Sequence, residues 1–398
     1  MTDILNTNIS HSLFFSDLDF DDPKNFNELV LKTYPDAITY DVNKDSSHPY
    51  IKDMQTAERF LHGGSKTYEV HRFFLEHISP DLERAGFDGW SLMISYFPEA
   101  NILNLSFHYS IKNTTTDHII ALRQSGMHRE YPFGDGKSTI DKLAKNICTA
   151  LNIPFKPIEQ SFLCEITKFG EYTDIDEIEQ KEAARIYGFL SGDEGYKFVP
   201  EELLRERLTH KWGSRRFMRI YAFGQGFLFI NLLDTPDYND YLERQTQYGT
   251  ATYGACNDYF YMRDCPLTVN HGILFSVEFV MMLKSLISDV IAFQSTYSKR
   301  DKTMSYYRRI RETRDFRRKI IMVLERVEHT GISEIGNLSA TLMESQHIAP
   351  IVDQVKYLLE LLEADLDLTY SERNNVLMTI LTVLGLLLAA SQVVLALI

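Results

Sequence analysis

Cysteine is scarce in this chain: 398 residues hold four, Cys148, Cys164, Cys256 and Cys265, and no two stand in a Cys-x-x-Cys spacing. That excludes a dense disulfide framework and the common zinc-ribbon patterns, and it suits a reducing compartment. Positive charge is in deficit. Against 55 Asp and Glu there are 41 Lys and Arg, a net charge of -14, which excludes nucleic-acid binding by bulk electrostatics. The first thirty residues contain Asp3, Asp17, Asp19, Asp21 and Asp22 and no apolar run, so no signal peptide is expected. Before residue 376 no uninterrupted apolar run is long enough to span a bilayer, which excludes a polytopic membrane protein. Proline is nearly missing from the last third, where only Pro350 follows Pro266. The scarcity of helix breakers there points to long helices.

What is present in residues 1–265 reads as mixed α and β. Runs rich in β-branched and aromatic residues predict strands over 91–97, 102–111, 118–124, 161–167, 216–223 and 227–233, with Gly224, Gln225 and Gly226 making a hairpin of the last two. Helical patterns fit 67–85, 137–151, 174–190 and 200–211. Beyond Pro266 the segments 270–297, 303–329 and 349–373 read as long helices, interrupted near Gly331 to Gly336. The expected fold class is an α+β cytosolic head domain (1–265), long stalk helices (266–373) and one C-terminal transmembrane helix (374–398).

Several motif-like stretches fail on inspection. YPFGDGKST (131–139) places Gly136, Lys137 and Ser138 before a helix, but a phosphate loop needs glycine at the position held by Tyr131, so a glycine turn capping the helix is the better reading. DLDFDDPKNFNE (17–28) has Asp17, Asp19, Asp21 and Glu28 at calcium-loop positions, yet Asp22 stands where the turn requires glycine. His71 and His77, six apart, point to different faces of a helix and make poor co-ligands for a metal. No serine elbow and no paired catalytic carboxylates stand in a recognisable motif, so no enzymatic activity, catalytic residue or metal site is expected.

One basic segment stands out of the acidic background. KRDKTMSYYRRIRETRDFRRK (299–319) carries ten Lys or Arg against Asp301, Glu312 and Asp315. Arginine favours bidentate contact with phosphate or carboxylate, and Tyr306 and Tyr307 offer rings for stacking, so Arg308, Arg309 and Arg311 are candidate ligand-binding residues. The plainer alternative is a solvated helix face answered by Glu360, Glu363, Asp365 and Asp367.

From Val376 to Ile398 there are 23 residues without a charge. At about 1.5 Å per residue a helix of them matches the roughly 30 Å hydrocarbon core, so a transmembrane helix is expected. Its small and polar residues, Asn375, Thr379, Thr382, Gly385, Ala389, Gln392 and Ala396, recur every three or four positions along one face, as in a bundle that packs on copies of itself. Upstream, Val352, Val355, Leu359, Leu362 and Leu366 make a heptad-like seam. A plain tail anchor is the simpler alternative.

The run LLELLEADLDLTYSERNNVLMTILTVLGLLL (358–388) resembles the end of the stalk helix and the first membrane helix of CorA-like metal-ion transporters, with Asn375, Met378, Leu381 and Thr382 in the positions of that pattern. The Gly-Met-Asn motif that ends this helix in the family is absent. The resemblance implies a homo-oligomer, a pentamer, whose pore is lined by Asn375, Thr379, Thr382, Gly385, Ala389 and Gln392 and gated by Met378 and Leu381. It further implies membrane lipids as partners and a single-pass protein of the inner (cytoplasmic) membrane with its head in the cytosol. Some CorA-like proteins accompany type III CRISPR systems as antiviral effectors. The function so implied is an ion leak opened by a nucleotide-type ligand. The alternatives are transport of Mg2+ or another divalent cation, and a tail-anchored binding protein or enzyme whose activity resides in the head.

Overall fold

The computed structural model describes residues 4–16, 18, 20, 23–41, 69–76, 87–133, 136–233, 235–248, 270–300, the helical positions 311, 314, 317, 318 and 321, and 333–397. Eleven strands occur among them: β1 (Leu5–Phe15), β2 (Ile38–Asp41), β3 (His71–Glu76), β4 (Phe87–Phe97), β5 (Ile102–Thr114), β6 (Tyr131–Phe133), β7 (Gly136–Ser138), β8 (Glu159–Phe169), β9 (Lys211–Arg215), β10 (Met218–Phe223) and β11 (Gly226–Asn231). The helices are α1 (Pro23–Thr33), α2 (Thr116–Ser125), α3 (Ile140–Ala150), α4 (Ile175–Ser191), α5 (Glu201–Arg207), α6 (Pro236–Tyr248), α7 (His271–Arg300), α8 (Ser333–Ser345) and α9 (Ile348–Leu397). Nine strands form one sheet in the order β2-β3-β4-β5-β1-β8-β11-β10-β9, antiparallel throughout except where β11 runs parallel to β8.

Register divides this sheet into two unlike faces. On one lie Ile9, Leu13, Leu105, Phe107 and Ile94, packed under α2, α3 and α4 through Ile120, Ala144 and Phe189. On the other, directly opposed residues bring together Ser10, Ser12, Ser91, Ser95, Asn104, Ser106 and His108, all buried. Three of these serines satisfy one another, Ser106 Oγ meeting Ser10 Oγ at 3.0 Å and Ser12 Oγ at 2.6 Å. Their small volume leaves room for α7 to lie on the sheet.

Three polar linkages fix α7 along its length. At its start the Asn270 side chain caps the helix by accepting from the Ile273 N–H (3.1 Å), while its own N–H donates to the buried Glu165 (2.9 Å), which also accepts from Asn8 and Asn231. Burial raises the Glu165 carboxyl above its ordinary range against the pull of those three donors. Two turns on, Glu278 accepts from Asn104 (2.8 Å) and pairs with Arg72, whose guanidinium lies 4.3 Å from the Phe275 ring centroid. Further on, Ser288 donates to Glu159 (3.2 Å) and Lys284 pairs with the same carboxylate (3.6 Å). Buried charges are tolerated when paired and hydrogen-bonded in this way.

Several expectations need correction. Residues 118–124 are helical, within α2: Thr115 accepts from the His118 N–H, and Ile119, Ile120 and Leu122 go into the core. The segment 67–85, read as a helix, contributes strand β3, with Phe73 and Phe74 buried on opposite faces. Within YPFGDGKST, β6 and β7 pair antiparallel, and Thr139 caps α3 by accepting from the Lys142 N–H at 3.1 Å. The fold class is corrected most at its end. The expected C-terminal transmembrane helix is not found: among the described residues no helix is long and apolar enough to cross a membrane. The apolar stretch belongs to α9, a continuous helix of 50 residues.

Candidate functional site

Long helices end up in cores or against partners, because an isolated helix has little stability of its own. The first turns of α9 follow that rule: Ile348 and Val352 are buried. The turn into the helix is made by His347, whose positive φ of 54° is a conformation costly to non-glycine residues. Next to it Gln346 donates to the Gly224 carbonyl at the β10–β11 turn and accepts from Lys284 of α7 (3.1 Å). Leu338 and Leu342 of α8 complete the packing. The root of α9 is thereby joined to the sheet and to α7.

Beyond the root, every described side chain of α9 is exposed. Tyr357, Leu361, Ala364, Leu368, Ser371, Asn375, Met378, Thr382 and Gly385 succeed one another by four and three residues without exception, and every one is exposed. Tyr357 and Leu368 are each 60% exposed and Met378 64%. A 4-3 repeat is the a/d seam of a coiled coil, and this one runs for about 42 Å. Asp353, Glu360 and Asp367, also exposed, flank it at intervals of seven. On the helical positions 311, 314 and 318 stand the exposed Arg311, Arg314 and Arg318, the first and last again seven apart.

The residues singled out from sequence distribute unevenly. Asn375, Thr379, Thr382 and Gly385 are exposed on α9, as are Met378 and Leu381. Asn375, Met378, Thr382 and Gly385 fall on the seam; Thr379 and Leu381 flank it. Thr379 and Thr382 donate back to the carbonyls of Asn375 (2.8 Å) and Met378 (2.7 Å), which satisfies both hydroxyls within the helix and leaves them less polar toward a neighbour. Ala389 and Gln392 belong to α9, but their side chains lie outside the described residues, as do Arg308 and Arg309. Of the seam proposed at Val352, Val355, Leu359, Leu362 and Leu366, Val352 is buried and the other side chains lie outside the described residues. By helical spacing that row lies on the opposite side of the helix from Tyr357, Leu361, Ala364 and Leu368. Sequence reasoning missed Tyr357, Leu361, Ala364, Leu368 and Ser371, although their spacing was there to be counted.

Several strongly perturbed groups are sealed in the core: burial, with the charges of Arg123 and His108, lowers His11 to about 3, and burial alone lowers His108 to about 3. Burial pushes the Cys148 thiol up to about 12, and burial with the neighbouring Glu165 charge raises Cys164 further. A thiol so raised is a poor nucleophile. Among the described residues no group of three His, Cys, Asp or Glu is placed to hold a metal ion. No family model, no curated protein and no solved structure matches the chain.

Proposed function

We propose that the chain works as a non-enzymatic homo-oligomer of the CorA-like kind, with its α9 helices gathered side by side around one axis and its heads outward. The observation that carries this reading is that every described side chain of α9 beyond Val352 is exposed, with an unbroken 4-3 row from Tyr357 to Gly385 among them. Such a seam is complementary to another helix of the same spacing, and a second copy of α9 supplies one. Aligned in parallel, Asn375 meets Asn375 at an a position, where a polar residue fixes register. The small residues Ala364, Ser371 and Gly385 then meet one another and let the backbones approach. The acidic flank Glu360 and Asp367 of one copy has the same seven-residue interval as Arg311 and Arg318 of the next, so like charges need not face each other around a ring. Ion passage is left out of the reading, because among the described residues no helix is long and apolar enough to cross a membrane.

The test is the mass of the full chain by light scattering, in buffer and in mild detergent. The wild type is expected to be an oligomer. Leu361→Glu with Leu368→Glu should reduce it to a monomer, since each seam leucine contributes about 1.5–3 kcal/mol when buried. Tyr370→Glu, exposed on α9 but off the seam, should leave it assembled. A monomeric wild type, or equal disruption by Tyr370→Glu, would refute the reading.

A further inference from the structure

Helices α4 and α5, with Lys211 of β9 and Tyr221 of β10, frame an open cleft of about 620 Å³. Pockets for small molecules run from about 300 to 1,000 Å³. The floor is aliphatic, made by Ala183, Ala184, Leu204 and Leu208. The back wall is already committed. Both oxygens of Glu179 accept from Lys211 Nζ (2.9 and 2.8 Å), and the carboxylate also accepts from the Tyr221 hydroxyl (2.7 Å) and Arg219 Nη1 (2.9 Å). Burial pushes the Glu179 carboxyl up, but these donors outweigh it and hold it below its ordinary value, so the wall keeps its charge pattern at neutral pH.

The rim differs from the wall. Lys181 and Arg205, on the two facing helices, are exposed, and each is paired to a carboxylate one turn away on its own helix: Glu177 at 2.6 Å and Glu201 at 2.6 Å. Exposed pairs of this kind contribute little and exchange freely with solvent. A phosphate gives stronger charge-assisted contacts than either carboxylate and can displace both. Within a chain of net charge -14, the cleft gathers three cations, Lys181, Arg205 and Lys211, each paired to one carboxylate. Gln180 and Thr209, also in the lining, add a donor and acceptor pair beside the floor.

We propose that this cleft binds a phosphorylated ring compound of mononucleotide size, its phosphate held at the rim by Lys181 and Arg205 and its ring laid on Ala183, Ala184, Leu204 and Leu208. The site is independent of the α9 seam. Isothermal titration of the full chain at low ionic strength tests it, with AMP, GMP, CMP and UMP as probes and with adenosine and inorganic phosphate as separate arms. At least one monophosphate is expected to bind with a Kd below about 1 mM. Lys181→Ala and Arg205→Ala should each weaken that binding about tenfold, with the salt dependence reduced. Leu204→Asp should abolish it, with the thermal melt recorded alongside. The surface variants Lys181→Ala and Arg205→Ala keep the test informative if Leu204→Asp fails to fold. Binding of no monophosphate, or equal binding by the Lys181→Ala, Arg205→Ala double variant, would overturn the proposal. So would adenosine or inorganic phosphate binding as tightly as the monophosphate, since one half of the site would then be idle.

Discussion

Acid should unfold this protein through two histidines. His11 and His108 lie on adjacent strands β1 and β5, fully enclosed, and both stay neutral in the folded chain down to about pH 3. His11 keeps one hydrogen bond, to the Tyr109 hydroxyl at 3.0 Å, with Arg123 nearby; neither ring nitrogen of His108 has a partner among the described residues. The unfolded chain protonates both near pH 6.5. Their folded pKa values are depressed, so stability is fully present above pH 6.5 and falls as the pH drops toward 3. The loss is about 1.4 kcal/mol per pH unit for each histidine, roughly 5 kcal/mol for the pair between pH 6.5 and 4.5. Glu165 works in the opposite direction, because its raised pKa makes protonation favour the folded state, and so reduces the net loss. The histidine contribution alone is comparable to the lower end of a typical stability of about 5–15 kcal/mol. Urea titrations at pH 7.5, 6.0, 5.0 and 4.5 measure it. His108→Leu should halve the slope and add about 1–3 kcal/mol at pH 7.5, because it removes a buried imidazole without partners. A flat profile from pH 7.5 to 4.5, or a His108→Leu variant less stable than wild type at pH 7.5, would refute the reasoning.

Two further outcomes test the core. Glu278→Gln should cost about 3–5 kcal/mol in urea unfolding by stranding the Arg72 charge against the Phe275 ring, and the double variant Arg72→Met, Glu278→Leu should recover most of that loss. Gly226→Ala should cost about 2–3 kcal/mol or more in the same assay, because a Cβ at that position would lie 2.0 Å from the Leu190 carbonyl oxygen, backbone that cannot step aside.

Strands with one apolar and one aromatic-rich or aliphatic neighbour were legible from composition, and β4, β5, β8, β10 and β11 fall where the sequence predicts strands. Strand β1 was not. LNTNISHSLFF alternates properly, but the face it turns to α7 carries Asn8, Ser10 and Ser12, so the segment has too little apolar content to read as a central strand. The serine-rich face is a property of the pairing, visible only when Ser10 meets His108 and Ser12 meets Ser106 across the ladder. The error at 118–124 has the opposite cause. Ile119 and Ile120 favour strands by composition, yet the Thr115 cap and burial at Ile119, Ile120 and Leu122 make that stretch a helix. Local capping outweighed β propensity there.

For α9 the difficulty was choosing among faces. A helix of 50 residues with leucine at most turns carries more than one apolar row, and Val352 to Leu366 is as regular to the eye as Tyr357 to Leu368. Sequence spacing cannot say which row a chain buries against itself. At the root Ile348 and Val352 are buried, and every described side chain beyond them, Tyr357, Leu361, Ala364 and Leu368 included, is exposed. Apolar residues exposed in this way weaken folding by leaving apolar area in water. Burial against another helix, as in the assembly proposed above, would recover that cost. The small and polar residues Asn375, Thr382 and Gly385 continue, in the same 4-3 register, the row that starts at Tyr357, and in the proposed assembly they would extend the same contact between copies.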